Sequence, residues 1–223
     1  MKLALTLSTL CLATLGMVGC SSKVPQPDEY SGFLSDYSQL KEAKSPSGVE
    51  VMRWIDPKLK LSNYSSVYIE PTQFYPQPQP TAKIPQSTLT AITRYYDQAL
   101  QREVSKSLPL ATGPGPGVIV VRAAITAVTS KTEGLKPYEI IPVALVVAAV
   151  STASGIRDQE TTLATEAAFL DGSTHAVIAE VVRKGTGKPL ENDTQVMQAS
   201  DVKNVIDGWA YDMHQSYLQL KKK

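Results

Sequence analysis

Two stretches of the chain, residues 87–108 and residues 200–220, carry apolar side chains at steps of three and four. This spacing places the apolar residues on one face of a helix. In the first stretch they are Leu89, Ile92, Tyr96, Leu100, Val104 and Leu108, and in the second they are Val202, Val205, Ile206, Trp209, Met213, Tyr217 and Leu220. Ser87 and Ser200 offer hydroxyl oxygens for N-caps, and Pro109 would end the first helix. The pattern therefore predicts two amphipathic helices.

Shorter runs rich in β-branched residues predict strands, because such side chains pack well on a pleated sheet. The runs cover residues 49–55, 66–70, 118–128, 161–170 and 176–183. Asp171-Gly172 lies between the last two runs and predicts a hairpin turn. The order of these elements predicts an α+β fold, in which two amphipathic helices pack on one face of a mainly antiparallel sheet.

The start of the chain has the pattern of an export signal. Residues 3–18 are uncharged and mostly apolar, and they form a shorter run than a membrane-spanning helix needs. Met17-Val18-Gly19-Cys20 then resembles a bacterial lipobox, in which the cysteine thiolate is alkylated by lipid and the new amino terminus takes a further acyl chain. We therefore predict a lipoprotein signal peptide over residues 1–19 and lipidation of Cys20. By resemblance to sorting signals, Ser21 favours the outer membrane.

Composition defines the rest of the chain. Residues 20–29 contain Ser, Pro and polar residues without apolar periodicity, which predicts a lipidated tether. Residues 30–223 are predicted to form a single periplasmic α+β domain. A net charge of +1 lacks the basic surface of a nucleic-acid-binding protein, so we expect no nucleic acid partner. Cys11 would leave with the signal peptide, and no disulfide is then expected.

The segment 140–156 (IIPVALVVAAVSTASGI) carries no charge and lies between two predicted strands. It reaches only the lower length limit of a membrane span, and Pro142 interrupts its start. We favour a buried core element; the alternative is an apolar surface that contacts an envelope protein or the bilayer interface. The candidate contact residues are Ile140, Ile141, Val143, Leu145, Val146, Val147 and Val150.

Residues suited to metal binding or catalysis are few. His175 and His214 are the only histidines, and their spacing matches no zinc motif. We expect His175 in an exposed turn and His214 beside the apolar stripe of the second helix. The glycine-rich segments 113–117 and 184–189 contain prolines and lack the spacing of a phosphate-binding loop, so we discount both as nucleotide sites and interpret 113–117 as a turn. The sequence predicts no metal, no cofactor and no catalytic residue.

Four further features are the segment 30–34 (YSGFL) with Tyr37, the strand entry 114–118 (PGPGV), the segment 166–171 (EAAFLD) and Trp209. Together with the lipobox, they resemble an uncharacterised proteobacterial lipoprotein family, a domain of unknown function. The resemblance implies an envelope location and supplies no catalytic residue. The order of elements is also similar to that of small outer-membrane lipoproteins that assist transport or secretion machines, which is a likeness of fold alone.

These observations lead to three hypotheses. We expect a lipid-anchored, non-enzymatic domain at the outer membrane that faces the periplasm and supports an envelope assembly through residues 140–156. One alternative is an envelope hydrolase or glycan-binding enzyme that uses carboxylates near Glu166 and Asp171, with Glu180 on the same hairpin. Solvated charges on a strand face are the simpler interpretation of these carboxylates. A second alternative is a carrier of a small hydrophobic ligand, with the uncharged segment lining its pocket.

Overall fold

A computed structural model of the chain describes residues 24–132, 159–192 and 194–222. The predicted signal peptide, Cys20 and the segment 140–156 lie outside these residues. Within the described ranges, no helix combines the length and the apolar character that a membrane crossing requires.

One sheet of seven strands forms in the described part of the chain. The strands are β1 (Lys41–Lys44), β2 (Glu50–Ile55), β3 (Ser66–Ile69), β4 (Gln73–Phe74), β5 (Val118–Thr132), β6 (Gln159–Asp171) and β7 (Val177–Thr186). Their order across the sheet is β1-β2-β7-β6-β5-β3, and β4 also pairs with β5. The neighbours are antiparallel, except that β3 and β4 run parallel to β5. The predicted mainly antiparallel sheet is confirmed.

Both predicted helices are present, as α1 (Gln86–Val104) and α2 (Lys203–Lys221). α1 connects β4 to β5, because parallel strands need a crossover connection that passes over the sheet. Leu89 and Ile92 of α1 and Ile206 of α2 are fully buried in one core with side chains of the sheet. The α+β fold with two helices on one face is therefore confirmed.

The helix ends differ from the prediction. α1 ends four residues before Leu108, which is nevertheless buried, because residues 105–108 form a turn. Neither Ser87 nor Ser200 is an N-cap; the N-cap residues are Pro85 and Val202. The carbonyl of Pro85 accepts the first N–H bonds of α1, and that of Val202 accepts those of α2. Backbone oxygens thus take the role that we had predicted for serine hydroxyls.

The sheet has a core on each face, because successive side chains of a strand point to opposite sides. On β6, Ala167 belongs to the core beneath the helices, whereas Ala168 belongs to a smaller core on the other face. The segment 30–40 covers this second face and buries Leu34 against it. The N-terminal segment and the two helices therefore occupy opposite faces of one sheet.

The glycine-rich segments have structural roles. Gly172 in the β6–β7 hairpin lies against the turn 113–117, and a Cβ at Gly172 would lie 2.6 Å from the carbonyl oxygen of Gly115. Only glycine permits this approach without a backbone shift. The interpretation of 113–117 as a turn is confirmed. Of the segment 184–189, the part up to Thr186 belongs to β7.

Candidate functional site

A pocket of about 150 Å³ lies between the two helices and the sheet, and we call it the helix–sheet pocket. Its lining is mainly apolar and includes Val51, Ile55, Val67, Leu108, Ile119 and Tyr217. An apolar cavity of this volume accommodates a molecule of about the size of benzene. The pocket is therefore suited to a ring or to part of one alkyl chain.

The pocket is elongated along the C-terminal half of α2. Its lining residues on this helix extend from Asp212 to Leu220, a rise of about 12 Å. Asp212 is buried, whereas Tyr217 and Leu220 are partly exposed. The pocket thus has a polar end at Asp212 and opens towards the C-terminus of α2.

A buried ion pair between β7 and α2 forms the polar end. Nη2 of Arg183 lies 2.7 Å from Oδ2 of Asp212, and the two side chains are only 8% and 2% exposed. Ser47 donates two hydrogen bonds to Asp212, from its backbone N–H and from its hydroxyl, each at 2.9 Å. Burial alone would raise the pKa of Asp212, but the hydrogen bonds from Arg183 and the neighbouring serines lower it. Asp212 is therefore ionised at neutral pH.

One N–H of the Arg183 guanidinium is buried without a hydrogen-bond partner among the described residues. Its Cζ lies 5.5 Å from the ring centre of Trp209, which is a cation–π distance. Its Nε is buried and has no hydrogen-bond partner in the described part of the chain. Arg183 also lines the helix–sheet pocket.

A second guanidinium lines the same pocket. Arg53 on β2 pairs with Val181 on β7, so Arg183 is its diagonal neighbour on the same face of the sheet. Diagonal neighbours lie about 7–8 Å apart, within reach of long side chains. In the three described ranges, no carboxylate oxygen lies within 4.0 Å of a nitrogen of Arg53. Asp212 thus neutralises only one of the two cations.

The two histidines are placed as the sequence predicts. Nε2 of His214 lies 2.7 Å from Oγ of Ser107, and its Nδ1 lies 3.8 Å from Oε2 of Glu103 on α1. These contacts connect α2 to the end of α1. His175 is exposed in the β6–β7 turn. Among the described residues, no group of three or more His, Cys, Asp or Glu side chains could hold a metal ion.

The three carboxylates near the β6–β7 hairpin lie in different settings. Glu166 and Glu180 are buried, and burial raises the pKa of Glu180. The expectation of solvated strand-face charges was therefore wrong for both, because the segment 30–40 covers this face. Asp171 lies in the hairpin turn, where hydrogen bonds, the largest from the backbone N–H of Thr174, lower its pKa to about 2.

Glu166 connects the N-terminal segment to the sheet. Its Oε1 accepts a hydrogen bond from the N–H of Ser31 at 2.8 Å, and its Oε2 accepts one from the Tyr37 hydroxyl at 2.6 Å. The same hydroxyl accepts N–H bonds from Gly32 and Leu34 at 2.9 and 3.1 Å. Burial and the bond to Glu166 raise the pKa of Tyr37 to about 12. Tyr37 thus orders the turn that covers the second face.

Part of the predicted tether also contacts the domain. Nζ of Lys184 on β7 lies 3.0 Å from Oε2 of Glu29, and Val24 is buried. Contacts with the domain therefore begin by residue 24, within the segment 20–29.

Replacing Tyr37 with phenylalanine is expected to lower the free energy of unfolding by about 1–3 kcal/mol, because buried Glu166 loses a donor. A raised folded-state pKa also stabilises the fold below pH 10, and this contribution is lost as the pH rises from 10 to about 12. Tyr37→Phe should lack this part of the alkaline destabilisation. Urea denaturation at pH 7 and above pH 10 measures both effects. Equal losses in Tyr37→Phe and in a control at exposed Tyr211 (Tyr211→Phe) would contradict the prediction.

The residues at the polar end of the pocket were missed by the sequence analysis. Arg53 and Arg183 lie on different strands and give no recognisable motif. Asp212 did carry a signal, because it lies three residues after Trp209 on the apolar face of α2. A charged residue in such a position is buried only with a partner.

Fold and site together define an α+β domain with a mainly apolar pocket between its helices and its sheet. Two arginines and one aspartate form the polar end of this pocket. The chain belongs to DUF3313, a family described as protein of unknown function, which matches residues 29–213. The predicted membership of an uncharacterised lipoprotein family is thereby confirmed.

Named relatives agree with this assignment. The chain is 41% identical over 205 residues to the uncharacterized lipoprotein YdcL of Escherichia coli strain K12, and the match covers 92% of each chain. YdcL of Escherichia coli O157:H7 shows the same identity and coverage. The name of these relatives is consistent with the predicted lipoprotein character.

Solved structures show a weaker likeness. The PelC dodecamer from Paraburkholderia phytofirmans has a TM-score of 0.38 and 11% identity, over 74% of this chain and 96% of that chain. The hypothetical protein CT253 from Chlamydia trachomatis has a TM-score of 0.35 and 9% identity, over 56% and 73%. Values this low carry no argument about function.

Proposed function

We propose that this protein is anchored to the outer membrane through acylated Cys20, and that its non-enzymatic periplasmic domain binds a small apolar molecule in the helix–sheet pocket. The observation that carries the proposal is the pocket itself. A preformed concave site with a mainly apolar lining and few polar groups is typical of ligand binding. Its polar groups lie together at one end, where they can orient a ligand.

The lipid anchor is supported by the position of Cys20 at the end of the apolar leader. The contacts of Glu29 and the segment 30–40 lie on the face of the sheet opposite the helices. The described residues that follow the proposed anchor thus lie on the face of the sheet opposite the helix–sheet pocket.

A non-enzymatic role is supported by the setting of Glu166 and Asp171, two of the three candidate carboxylates. Glu166 accepts hydrogen bonds from Ser31 and Tyr37, and Asp171 accepts a hydrogen bond from Thr174 in its own turn. General acid–base catalysis needs carboxylates that reach a substrate, whereas these two are occupied by contacts that stabilise the fold.

Support of an envelope assembly through residues 140–156 is a second candidate function. The supporting observation is that Thr132 and Gln159, the residues at the near ends of β5 and β6, are register partners. A segment that leaves and re-enters the sheet at one point can contact an envelope protein without interrupting the strands.

Ligand binding can be tested with N-phenylnaphthylamine, a neutral dye that fluoresces in apolar sites and whose phenyl ring matches the volume of the pocket. The mature chain, produced without residues 1–19 and with Cys20→Ser, is expected to bind the dye saturably. Ser216 lines the pocket, and Ser216→Trp should weaken binding by at least about tenfold by filling it. Gln219→Trp adds the same ring at an exposed position of α2 and should bind like the parent. Equal binding by both variants, with unchanged thermal unfolding, would refute the proposed site.

A further inference from the structure

The Nε–H of Arg183 is a buried donor without a partner, which is rare in folded proteins because such a group loses its hydrogen bond to water. The guanidinium has five N–H donors in a fixed plane, and Asp212 engages one of its Nη atoms. An acceptor atom of a ligand that reaches the Nε–H from the polar end of the pocket would satisfy this donor.

The charge at this end favours an anionic acceptor. Arg53 and Arg183 both line the pocket, and of the described carboxylates only Asp212 pairs with either. Glu180 also belongs to the lining, but it is the register partner of Trp54, which packs on the other face of the sheet. A carboxylate is planar and matches the donor fork of a guanidinium, so it neutralises the second cation and hydrogen-bonds to the first.

The volume and the length of the pocket limit the size of the apolar part of the ligand. About 150 Å³ is below the volume of most drug-sized ligand sites, which excludes a molecule with two acyl chains. The lining continues from the polar end along α2 to Leu220, about 12 Å away. One alkyl chain fits this outline, with its free end towards the opening.

We propose that the helix–sheet pocket selects a single-chain alkyl carboxylate, whose head group is bound by Arg53 and by the Nε–H of Arg183. This inference rests on the proposed function, because it specifies the ligand of the same pocket. It assigns specificity to two arginines, whereas the pocket walls account for apolar binding in general.

Head-group selectivity is tested by displacing N-phenylnaphthylamine from the mature Cys20→Ser chain with decanoate, decanol or decyltrimethylammonium. Decanoate is expected to bind on the order of tenfold more tightly than decanol, and the ammonium compound more weakly than either. Arg53→Gln should remove most of the decanoate preference and leave decanol unchanged. Arg53 has no ion pair among the described residues, so this variant is expected to fold. Arg94→Gln, at an exposed position of α1, changes the net charge equally and should retain the preference.

The role of Arg183 is tested without a substitution, because removing it would leave Asp212 buried and unpaired. In arginine-labelled protein, decanoate should shift the Nε–H resonance of Arg183, and decanol should not. Equal affinity for decanoate and decanol, or an unshifted resonance, would overturn the head-group assignment while leaving the apolar pocket intact. Failure of the dye and of all three amphiphiles to bind would instead refute the proposed function.

Discussion

Replacing Asp212 with alanine is expected to lower the free energy of unfolding by about 3–5 kcal/mol, because it leaves the guanidinium of Arg183 buried without its counter-charge. The two side chains are almost inaccessible to water, so solvent cannot replace the lost interaction. Two hydrogen bonds from Ser47 are lost in addition. Urea denaturation at neutral pH measures the change.

Asp207→Ala is the matched control on the same helix. Oδ1 of Asp207 lies 2.7 Å from Nη2 of Arg102, the same separation as in the buried pair, but the side chains are 40% and 47% exposed. Exposed pairs contribute about 0–1 kcal/mol, so the control should lose far less stability. Similar losses in both variants would show that burial does not strengthen the Arg183–Asp212 pair. In the double variant Arg183→Met/Asp212→Leu, much of the stability should return, because no unpaired charge remains.

The same pair predicts an acid response. The folded-state pKa of Asp212 is lowered, so its contribution to stability is present above the unfolded-state pKa and is lost as the pH falls through the folded-state value. Asp212→Ala should therefore lose less stability than the wild type between neutral and acidic pH.

Replacing Cys20 with serine in the full-length protein is expected to abolish palmitate incorporation and cleavage before residue 20. A hydroxyl is not deprotonated near neutral pH and does not replace the thiolate that forms the thioether. Stable anchoring also requires more than one acyl chain, so loss of the modified cysteine removes the basis of membrane retention. Metabolic labelling and the intact mass of the exported protein measure both steps.

Cys11→Ser is the matched control, because Cys11 lies within the predicted signal peptide and would leave with it. This variant should be labelled and cleaved like the wild type. Labelling of Cys20→Ser, or its absence from the wild type, would contradict the lipoprotein assignment for this chain.

The periodic patterns predicted the main helices and strands because each pattern depends only on residues that are close together in the chain. Both helices and the strands β2, β3, β5, β6 and β7 appear near their predicted positions. β1 (Lys41–Lys44) was missed because only one of its four residues is apolar, and its pairing with β2 specifies it. β4 (Gln73–Phe74) was missed because it is a two-residue strand in a proline-rich loop, held by pairing with β5.

The candidate site depended on contacts between residues that are distant in sequence. Asp212 meets Arg183 across 29 positions and Ser47 across 165 positions, and Tyr37 meets Glu166 across 129 positions. No local pattern records such pairs, because side-chain complementarity arises only after the strands and helices have packed. For the same reason the hairpin carboxylates were judged solvated, although a separate segment buries two of them.

Local chemistry thus determined the predicted export signal, the candidate acylated cysteine, the two amphipathic stripes and the strand-rich α+β class. These features depend on hydrophobic periodicity and on single reactive side chains, which a linear sequence displays directly. The helix–sheet pocket and its two arginines were decided by the tertiary structure alone. Strand order and register bring Arg53 and Arg183 to one face of the sheet, and helix packing against that face buries Arg183 with Asp212.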